Sequence, residues 1–385
     1  KLTRIMFPYL LLIGLSIFCM GLLNTFGSFA LPAFGPVMLN LSLIAGAILS
    51  LHMKEPILAL SYAVLLGGFL QLLIQIPAIF KKGFYFIKSK KDEKTFHPGT
   101  KKIGKLLLPR TLGSAIYQLN VFVDTVMASL SNIVGVGGIA AIYYANRIIQ
   151  LPLAIFGIAL SSAVLPTMSQ LAVLNDLEKL KNTVNFSLRA IFLIMLPCSV
   201  GSIILAKPII KVLFERGEFS SYSTTITSWA LIFYSVGLVS FGAVKILVSS
   251  FYSLQDTVTP VKIASLCLVI NIILNFILMW PLKVGGLALA SSISATINFL
   301  LLFLILRKKI GHFVDKQVLK TILQVIIASF LMALGIIIFR YFIHTNEILK
   351  LGLSIALGIS IYILVCILID LKEMRELFKW ILRKK

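Results

Sequence analysis

Arg147 has the most distinctive chemistry in this chain, because it lies in a long apolar stretch that carries no other charge. Residues 127–174 contain no further Asp, Glu, Lys or Arg. If this stretch crosses a membrane, a guanidinium at bilayer depth costs about 2.5 to 17 kcal/mol, depending on the reference state. Guanidinium groups bind phosphate oxygens bidentately, so an arginine retained in such a setting indicates an anion site.

Other polar side chains accompany Arg147 at helical spacing. They fall on two consecutive apolar segments, and on each segment the spacing places them on one helix face. They are Tyr143, Asn146 and Gln150 beside Arg147, and Tyr117, Gln118, Asn120 and Asp124 on the preceding segment. We predict a substrate site formed by Arg147, Asn146, Tyr143, Gln118 and Asn120. A structural alternative is an Arg147–Asp124 ion pair that joins two helices, and both interpretations can hold together.

A third polar set lies further along the chain. Asn271 and Asn275 are spaced i, i+4 on one apolar segment, and Ser291, Ser294 and Asn298 follow on the next. Hydrogen bonds between membrane helices explain such patterns well. The sharper alternative is a cation site with oxygen ligands from several helices, to which Asp124 would contribute the carboxylate.

The remaining reactive residue types form no recognisable catalytic motif. The cysteines lie in apolar stretches at unrelated spacings, which predicts packing roles, and the histidines are far apart: Cys19, Cys198, Cys267, Cys366, His52, His97, His312 and His344. A membrane glycosyl- or acyltransferase would need a positioned acid or histidine. The best candidate is Asp256, whose Gln255-Asp256 context is more typical of a turn cap.

Composition places these residues in a membrane protein. The chain has 385 residues, is 59% hydrophobic and only 13% charged, and has a mean hydropathy of +1.00, against roughly 25% charged residues in soluble domains. Spanning helices need about 20 apolar residues. We therefore predict an all-α polytopic protein with about eleven spans, at 5–23, 34–51, 56–80, 106–130, 138–164, 186–206, 224–247, 261–281, 285–306, 320–339 and 351–370.

The formal net charge of +22 is distributed unevenly between the loops. When loops are assigned alternately to two sides, one side holds 26 of the 36 Lys and Arg residues. The positive-inside rule makes that side, and with it the C-terminus, cytoplasmic. Because topogenic charge accounts for the basic residues, we expect no nucleic-acid partner.

A weak internal repeat suggests two related halves. Leu23–Ser28 and Val248–Ser253 each close a span, and each is followed by a turn and then by a Pro-Val pair, at Pro36 and Pro260, that is expected to open the next span. Repeated halves are typical of secondary transporters. Matching the halves leaves room for three spans before Lys1, so we expect an N-terminally truncated chain of about fourteen original spans.

This organisation predicts six segments. They are the remainder of an N-terminal lobe (1–80), a basic cytoplasmic loop (81–105), a C-terminal lobe of six helices (106–306), a cytoplasmic loop (307–319), two additional helices bordering a lipid-tail groove (320–370) and a basic cytoplasmic tail (371–385).

Five motifs in this order resemble one family. They are Arg4–Tyr9 (RIMFPY), Phe29–Asn40 (FALPAFGPVMLN), Tyr143–Arg147 (YYANR) with Gln150–Pro152 (QLP), Leu213–Phe219 (LFERGEF), and Phe251–Asp256 (FYSLQD) with Thr259–Val261 (TPV). The chain is similar, over essentially its whole length, to the MurJ/MviN lipid II flippases of the multidrug/oligosaccharidyl-lipid/polysaccharide exporter superfamily.

The resemblance implies a MATE-like two-lobe transporter in the bacterial cytoplasmic membrane, with a monomer as the expected state. It implies flipping of lipid II, an undecaprenyl-pyrophosphate-linked peptidoglycan precursor, from the inner to the outer leaflet by alternating access. It also implies no enzymatic activity and no cofactor beyond Na⁺ or the membrane potential as energy source. Alternatives are another lipid-linked oligosaccharide exporter or a multidrug exporter.

The resemblance also assigns residues. Arg147 matches a cavity arginine that contacts pyrophosphate, and Asp124, Asn271, Asn275 and Ser291 match a sodium site. Two departures weaken the match: Asn146 replaces an acid of the family motif, and Asn275 replaces one carboxylate of the sodium site. The other cavity arginines belong to helices that this chain lacks, so we expect weak substrate binding by the chain alone.

Overall fold

The predicted all-α architecture is confirmed. The computed structural model describes residues 2–26, 28, 30–84, 111, 115–116, 118–313, 316–343 and 345–371, and every regular element within them is helical. The predicted loop at 81–105 and the tail at 371–385 lie almost entirely outside these residues.

The first four helices belong to a compact unit at Lys1–Phe96, and the rest belong to a second unit at His97–Lys385. In the first unit the helices are α1 (Leu2–Met6), α2 (Tyr9–Thr25), α3 (Ala30–Ser50) and α4 (Pro56–Lys81). The second unit contains α5 (118–128), α6 (Ser131–Val134), α7 (Gly138–Pro152), α8 (Ala159–Val173), α9 (Leu177–Ile204), α10 (Ala206–Phe214), α11 (Ser221–Val236), α12 (Leu238–Ser253), α13 (Val258–Leu282), α14 (Val284–Ile310), α15 (Lys316–Phe342) and α16 (Glu347–Leu368).

Most of the predicted spans are present as long apolar helices. In the described ranges, nine helices are long and apolar enough to cross a membrane, or ten when the bent pair α11–α12 counts as one span. The predicted span at 106–130 is described only from residue 118 onwards, apart from isolated positions. Many large apolar side chains on these helices are exposed, as expected where lipid replaces water.

Small residues allow the helices of the first unit to approach closely. A Cβ at Gly46 of α3 would lie 3.2 Å from the Ala59 carbonyl oxygen of α4. The amide of Gln75 also donates a 2.7 Å hydrogen bond to Ser16 of α2. Close backbones and buried polar contacts are how membrane helices associate without a hydrophobic driving force between them.

The second unit has a large core to which the last two helices are attached. Leu231, Leu247, Phe251 and Leu287 are fully buried in that core. Helices α15 and α16 pack beside α9, where the Tyr362 hydroxyl donates a 2.6 Å hydrogen bond to the Leu193 carbonyl oxygen. The two additional helices are therefore part of the second unit.

Three span predictions need correction. Helix α3 begins at Ala30, so Pro36 lies inside it and does not open it. The single span predicted at 224–247 is two helices that meet at 45° at Gly237. The span predicted at 138–164 runs on to Val173, and the helix passes Pro152 by widening into a π turn at Leu153–Ile158. Since proline lacks the N–H that an α-helix needs, a local change of hydrogen bonding there is expected.

Candidate functional site

Arg147 lies on an exposed polar face of α7. Its guanidinium carbon is 4.9 Å from the centre of the Tyr143 ring, which is itself 53% exposed. The same guanidinium donates a long hydrogen bond of 3.4 Å to Gln150 Oε1. A cation–π contact at an exposed position contributes only about 0.5–1 kcal/mol, so Arg147 is oriented but remains available to a ligand.

Asn146 and Gln150 are coupled on the same face. The Gln150 amide donates a 2.5 Å hydrogen bond to the Asn146 side-chain oxygen, one helical turn earlier. The pattern i, i+3, i+4, i+7 thus brings Tyr143, Asn146, Arg147 and Gln150 together as predicted, and we call these four side chains the Arg147 face. With Asn146 in place of an acid, no carboxylate on this face neutralises Arg147.

The alternative of an Arg147–Asp124 ion pair is wrong. Among the described residues Arg147 forms no ion pair, and Asp124 is engaged by uncharged donors. Asp124 is 6% exposed, whereas Arg147 is exposed. The two side chains therefore occupy different environments, which helix periodicity within each segment could not reveal.

Gln118 and Asn120 lie on α5, which also carries Asp124. Gln118 is exposed, and Asn120 is half-buried with a side-chain oxygen that has no hydrogen-bond partner in the described part of the chain. Neither residue bonds to the Arg147 face. An unsatisfied buried acceptor typically costs about 1–3 kcal/mol, so Asn120 has capacity for an added donor.

The four residues predicted as a sodium site form a single buried cluster. Asn275 donates 2.7 Å to one Asp124 oxygen, and Ser291 donates 3.0 Å to the other. Asn275 also donates 3.0 Å to the Asn271 oxygen, and Asn271 donates 3.3 Å to Ser291. The cluster joins α5, α13 and α14, and we define it as the Asp124 cluster.

One hydrogen-bond acceptor of the Asp124 cluster has no donor in the described part of the chain. The side-chain oxygen of Asn275 is buried and has no partner within the described residues. Carboxylate, amide and hydroxyl oxygens are the kinds of ligand that hard cations take. In the described segments, no group of three or more His, Cys, Asp and Glu side chains could hold a metal, so a site here would depend on neutral oxygens and one carboxylate.

Asp256 behaves as a turn residue, as its sequence context predicts. It accepts hydrogen bonds from the Thr259 amide and hydroxyl at the start of α13, and it pairs with Lys309 of α14 at 2.7 Å. Although burial acts in the opposite direction, the Lys309 and Thr259 hydrogen bonds lower the pKa of Asp256 to about 2. A carboxylate with such a low pKa is ionised at neutral pH and has no proton to donate in catalysis.

One cavity was missed by sequence reasoning. It lies at adjoining ends of α7 and α11, has a volume of about 350 Å³, and is lined in part by Tyr144, Arg216, Glu218 and Thr227. Arg216 and Glu218 belong to the LFERGEF motif, so the motif marked the segment. Thr227 gave no signal, because hydroxyl residues in apolar helices usually bond their own backbone.

Comparison with known proteins identifies related sequences along nearly the whole chain. A family model described as "Lipid II flippase MurJ" matches residues 1–365. The lipid II flippase MurJ of Burkholderia cenocepacia is 37% identical over 310 residues, which are 80% of this chain and 60% of that protein. The probable lipid II flippase MurJ of Haemophilus influenzae is 37% identical over 361 residues, 91% of this chain and 68% of that protein.

Solved structures show the same fold. "Lipid II flippase MurJ, inward closed conformation" matches with a TM-score of 0.79 and 28% identity, covering 98% of this chain and 75% of that one. An inward-facing multidrug resistance MATE family transporter matches with a TM-score of 0.69 and 20% identity over 80% of this chain and 71% of that one. The expected MATE-like fold is therefore confirmed.

Proposed function

Since the chain belongs to the lipid II flippase MurJ family, we propose that it takes part in moving a lipid-linked peptidoglycan precursor from the inner to the outer leaflet. It is a multi-pass protein of the bacterial inner membrane. Translocation by alternating access makes and breaks no covalent bond, so the proposed role is that of a transporter and not of an enzyme.

The exposure of Arg147 carries this proposal. The residue is the one charge in residues 127–174, yet it lacks a carboxylate partner among the described residues and is held only by Tyr143 and a long bond to Gln150. An intramembrane cation without a counter-ion is costly unless it faces water or an anionic ligand. A pyrophosphate offers the bidentate oxygens that a guanidinium prefers.

The neighbouring residues have supporting roles in this proposal. Tyr143 holds the guanidinium against its ring, and the Gln150–Asn146 hydrogen bond orients both amides beside it. Asn120 and Gln118 offer hydrogen-bonding groups to the sugar or peptide of the same substrate. Each of these groups is polar but uncharged, so specificity for the anion rests on Arg147.

The Asp124 cluster is proposed to bind Na⁺. The unpartnered oxygen of buried Asn275 supports this proposal, because a cation would satisfy it together with the Asp124 carboxylate. The ion and a membrane potential of ~100 mV, worth about 2.3 kcal/mol per charge, are the proposed energy sources. The cluster spans three helices, so occupation by a cation would bias how they pack.

Orientation and assembly are also proposals. We propose that the C-terminus lies in the cytoplasm, which the excess of Lys and Arg on one set of loops supports, and that the protein acts as a monomer. A reporter fused after Lys385 that is active only in the cytoplasm would support the orientation. Activity of a periplasm-specific reporter at the same position would contradict it.

Export of a drug cation is less compatible with the site. A cationic substrate requires exposed carboxylates, whereas Asp124 is buried and already bonded to Asn275 and Ser291. The exposed charge at the candidate site is a cation. The likeness to a multidrug transporter concerns the fold.

The proposal is tested by complementation of a flippase-depleted strain. The gene that encodes the chain is supplied with Arg147→Ala, Arg147→Lys or no change, and lipid II flipping is measured alongside growth. Losing one charge-assisted bidentate contact weakens binding by about 1.5–3 kcal/mol, or roughly 10- to 100-fold. We expect the alanine variant to fail and the lysine variant to retain partial activity.

A matched control separates charge from packing. Lys211 is an exposed cation on α10 that lies outside the Arg147 face, so Lys211→Ala should flip normally. Undiminished flipping by Arg147→Ala at equal membrane abundance would overturn the pyrophosphate role.

A further inference from the structure

The bent pair α11–α12 is a membrane span that is broken at its midpoint. Its two arms have 16 residues each, and they meet at 45° at Gly237. A bend of this kind takes carbonyl oxygens out of the regular four-residue hydrogen bonding of a helix, and an unsatisfied carbonyl within a bilayer is costly. The break therefore needs hydrogen-bond donors from neighbouring helices.

Serine hydroxyls supply these donors from two sides. Ser292 of α14 donates a 2.7 Å hydrogen bond to the Phe233 carbonyl oxygen, and Ser199 of α9 donates a 2.6 Å hydrogen bond to the Ser235 carbonyl oxygen. Ser292 is 1% exposed and Ser199 is 5% exposed, so both contacts are internal. Side chains that insert into the hydrogen bonding of a helix are a known cause of kinks. We therefore attribute the bend to these two contacts together with Gly237.

Ser292 directly follows a member of the Asp124 cluster. Its neighbour Ser291 donates a 3.0 Å hydrogen bond to Asp124 and accepts one of 3.3 Å from Asn271. Successive residues of an α-helix point about 100° apart, so the two serines serve different sides of α14. Because they share one stretch of helical backbone, a shift at Ser291 also moves Ser292.

Helix packing extends this connection beyond α14. Helix α14 packs against both arms of the broken span, and α11 also packs against α7, which carries the Arg147 face. The geometry of the break determines how α11 lies relative to α12. A change at the break therefore reaches the helix that presents Arg147.

We propose that the Ser291–Ser292 pair couples cation binding in the Asp124 cluster to the break at Gly237. This inference rests on the proposed Na⁺ site. The ion would add a ligand bond to the Ser291 oxygen, restrict α14 at that point and hold Ser292 against the Phe233 carbonyl. Cation binding would thereby stabilise the bent form of α11–α12. By linkage, the bent form would favour ion binding by the same factor.

The test is amide hydrogen exchange of residues 234–240 in the purified chain in detergent, compared between NaCl and choline chloride at equal ionic strength. With Na⁺ at tenfold its Kd, linkage limits the slowing to about 11-fold, and we expect at least ~3-fold slower exchange at the break. Ser292→Ala should exchange equally in both salts at the break. The same variant should still unfold at a higher temperature in NaCl, because the Asp124 cluster keeps its four side chains.

Ser199→Ala is the matched control. It removes the other serine hydroxyl from the break without changing α14, so exchange at the break should be faster in both salts and the effect of Na⁺ should remain. Exchange is referred in every variant to residues 355–365 of α16, which lie outside both the break and the Asp124 cluster.

The outcomes separate this coupling from the Na⁺ site on which it rests. An effect of Na⁺ at the break that persists in Ser292→Ala would overturn the coupling. So would the absence of that effect in an unchanged chain whose unfolding temperature rises in NaCl.

If the unfolding temperature of the unchanged chain does not rise in NaCl, the proposed Na⁺ site fails, and Asp124→Asn in choline chloride tests the link through α14 alone. Charge-assisted hydrogen bonds are roughly twice as strong as neutral ones, so this variant should hold Ser291 less firmly and speed exchange at the break by at least ~2-fold relative to α16. Equal exchange by the variant and the unchanged chain would overturn the link.

Discussion

The Arg147 face and the Asp124 cluster are opposite solutions to the same problem, a charge within an apolar helix. Arg147 is exposed and held by one ring and one long hydrogen bond. Asp124 is buried and accepts two hydrogen bonds, of 2.7 and 3.0 Å, from other helices. A charge that is loosely held can exchange ligands, whereas a charge that joins three helices contributes mainly to how they pack.

The largest expected difference between the two regions is in stability. Asp124→Ala removes the acceptor of both Asn275 and Ser291, so we expect the free energy of unfolding to fall by about 2–3 kcal/mol. Arg147→Ala loses only a cation–π contact and a long bond, so it should change stability by less than about 1 kcal/mol. Thermal unfolding of both variants in detergent measures this, and equal losses would break the comparison.

Sodium should affect only one of the regions. If the Asp124 cluster binds Na⁺, tenfold more ion than its Kd stabilises the protein by about 1.4 kcal/mol through linkage. We expect a higher unfolding temperature in NaCl than in choline chloride at equal ionic strength. Arg147→Ala should keep this increase and Asp124→Asn should lose it. If the unchanged chain unfolds at the same temperature in both salts, the cluster does not bind Na⁺ and serves only as a contact between helices.

The smallest expected effect concerns the Asp256–Lys309 pair at the ends of α12 and α14. Because the pKa of Asp256 is lowered to about 2, from an ordinary value of about 3.9, its ionised form stabilises the fold. That contribution is complete above about pH 4 and is lost as the pH falls through the folded pKa.

Lys309→Met should remove most of this acid sensitivity and lower the unfolding temperature by about 2 °C at neutral pH, since partly exposed pairs contribute about 0.2–1 kcal/mol. Unfolding curves between pH 2 and 5 measure the effect. A variant as acid-sensitive as the unchanged chain would show that other carboxylates control this range.

The polar face of α7 was predictable because it depends on one helix. The spacing of Tyr143, Asn146, Arg147 and Gln150 determines that they share a face, whatever packs against it. Polar spacing suggested a shared site that includes Asp124, but its four members were assigned together only through resemblance to a family, since they are far apart in the chain. For Asn271 and Asn275, spacing alone favoured hydrogen bonding between helices and left cation binding as an alternative.

Predictions failed where backbone geometry depended on neighbouring helices. Pro36 was expected to open a span but lies inside α3, and Gly237 divides a span that hydropathy reads as continuous. At Gly237 a Cβ would lie 2.7 Å from the Ser292 Cα of α14, so a close helix contact requires glycine there. Hydropathy reports the length of an apolar run and says nothing about such contacts.

The sequence by itself determined the helical membrane class, the family and the position of Arg147 on a polar helix face. These properties follow from composition, motif order and the 3.6-residue period, all of which are local or additive. Only the tertiary structure decided that Asp124 bonds to Asn275 and Ser291 and not to Arg147, and that Thr227 and Arg216 line the same cavity. Both outcomes depend on which helices pack together, and pairwise packing is not encoded in the periodicity of any one segment.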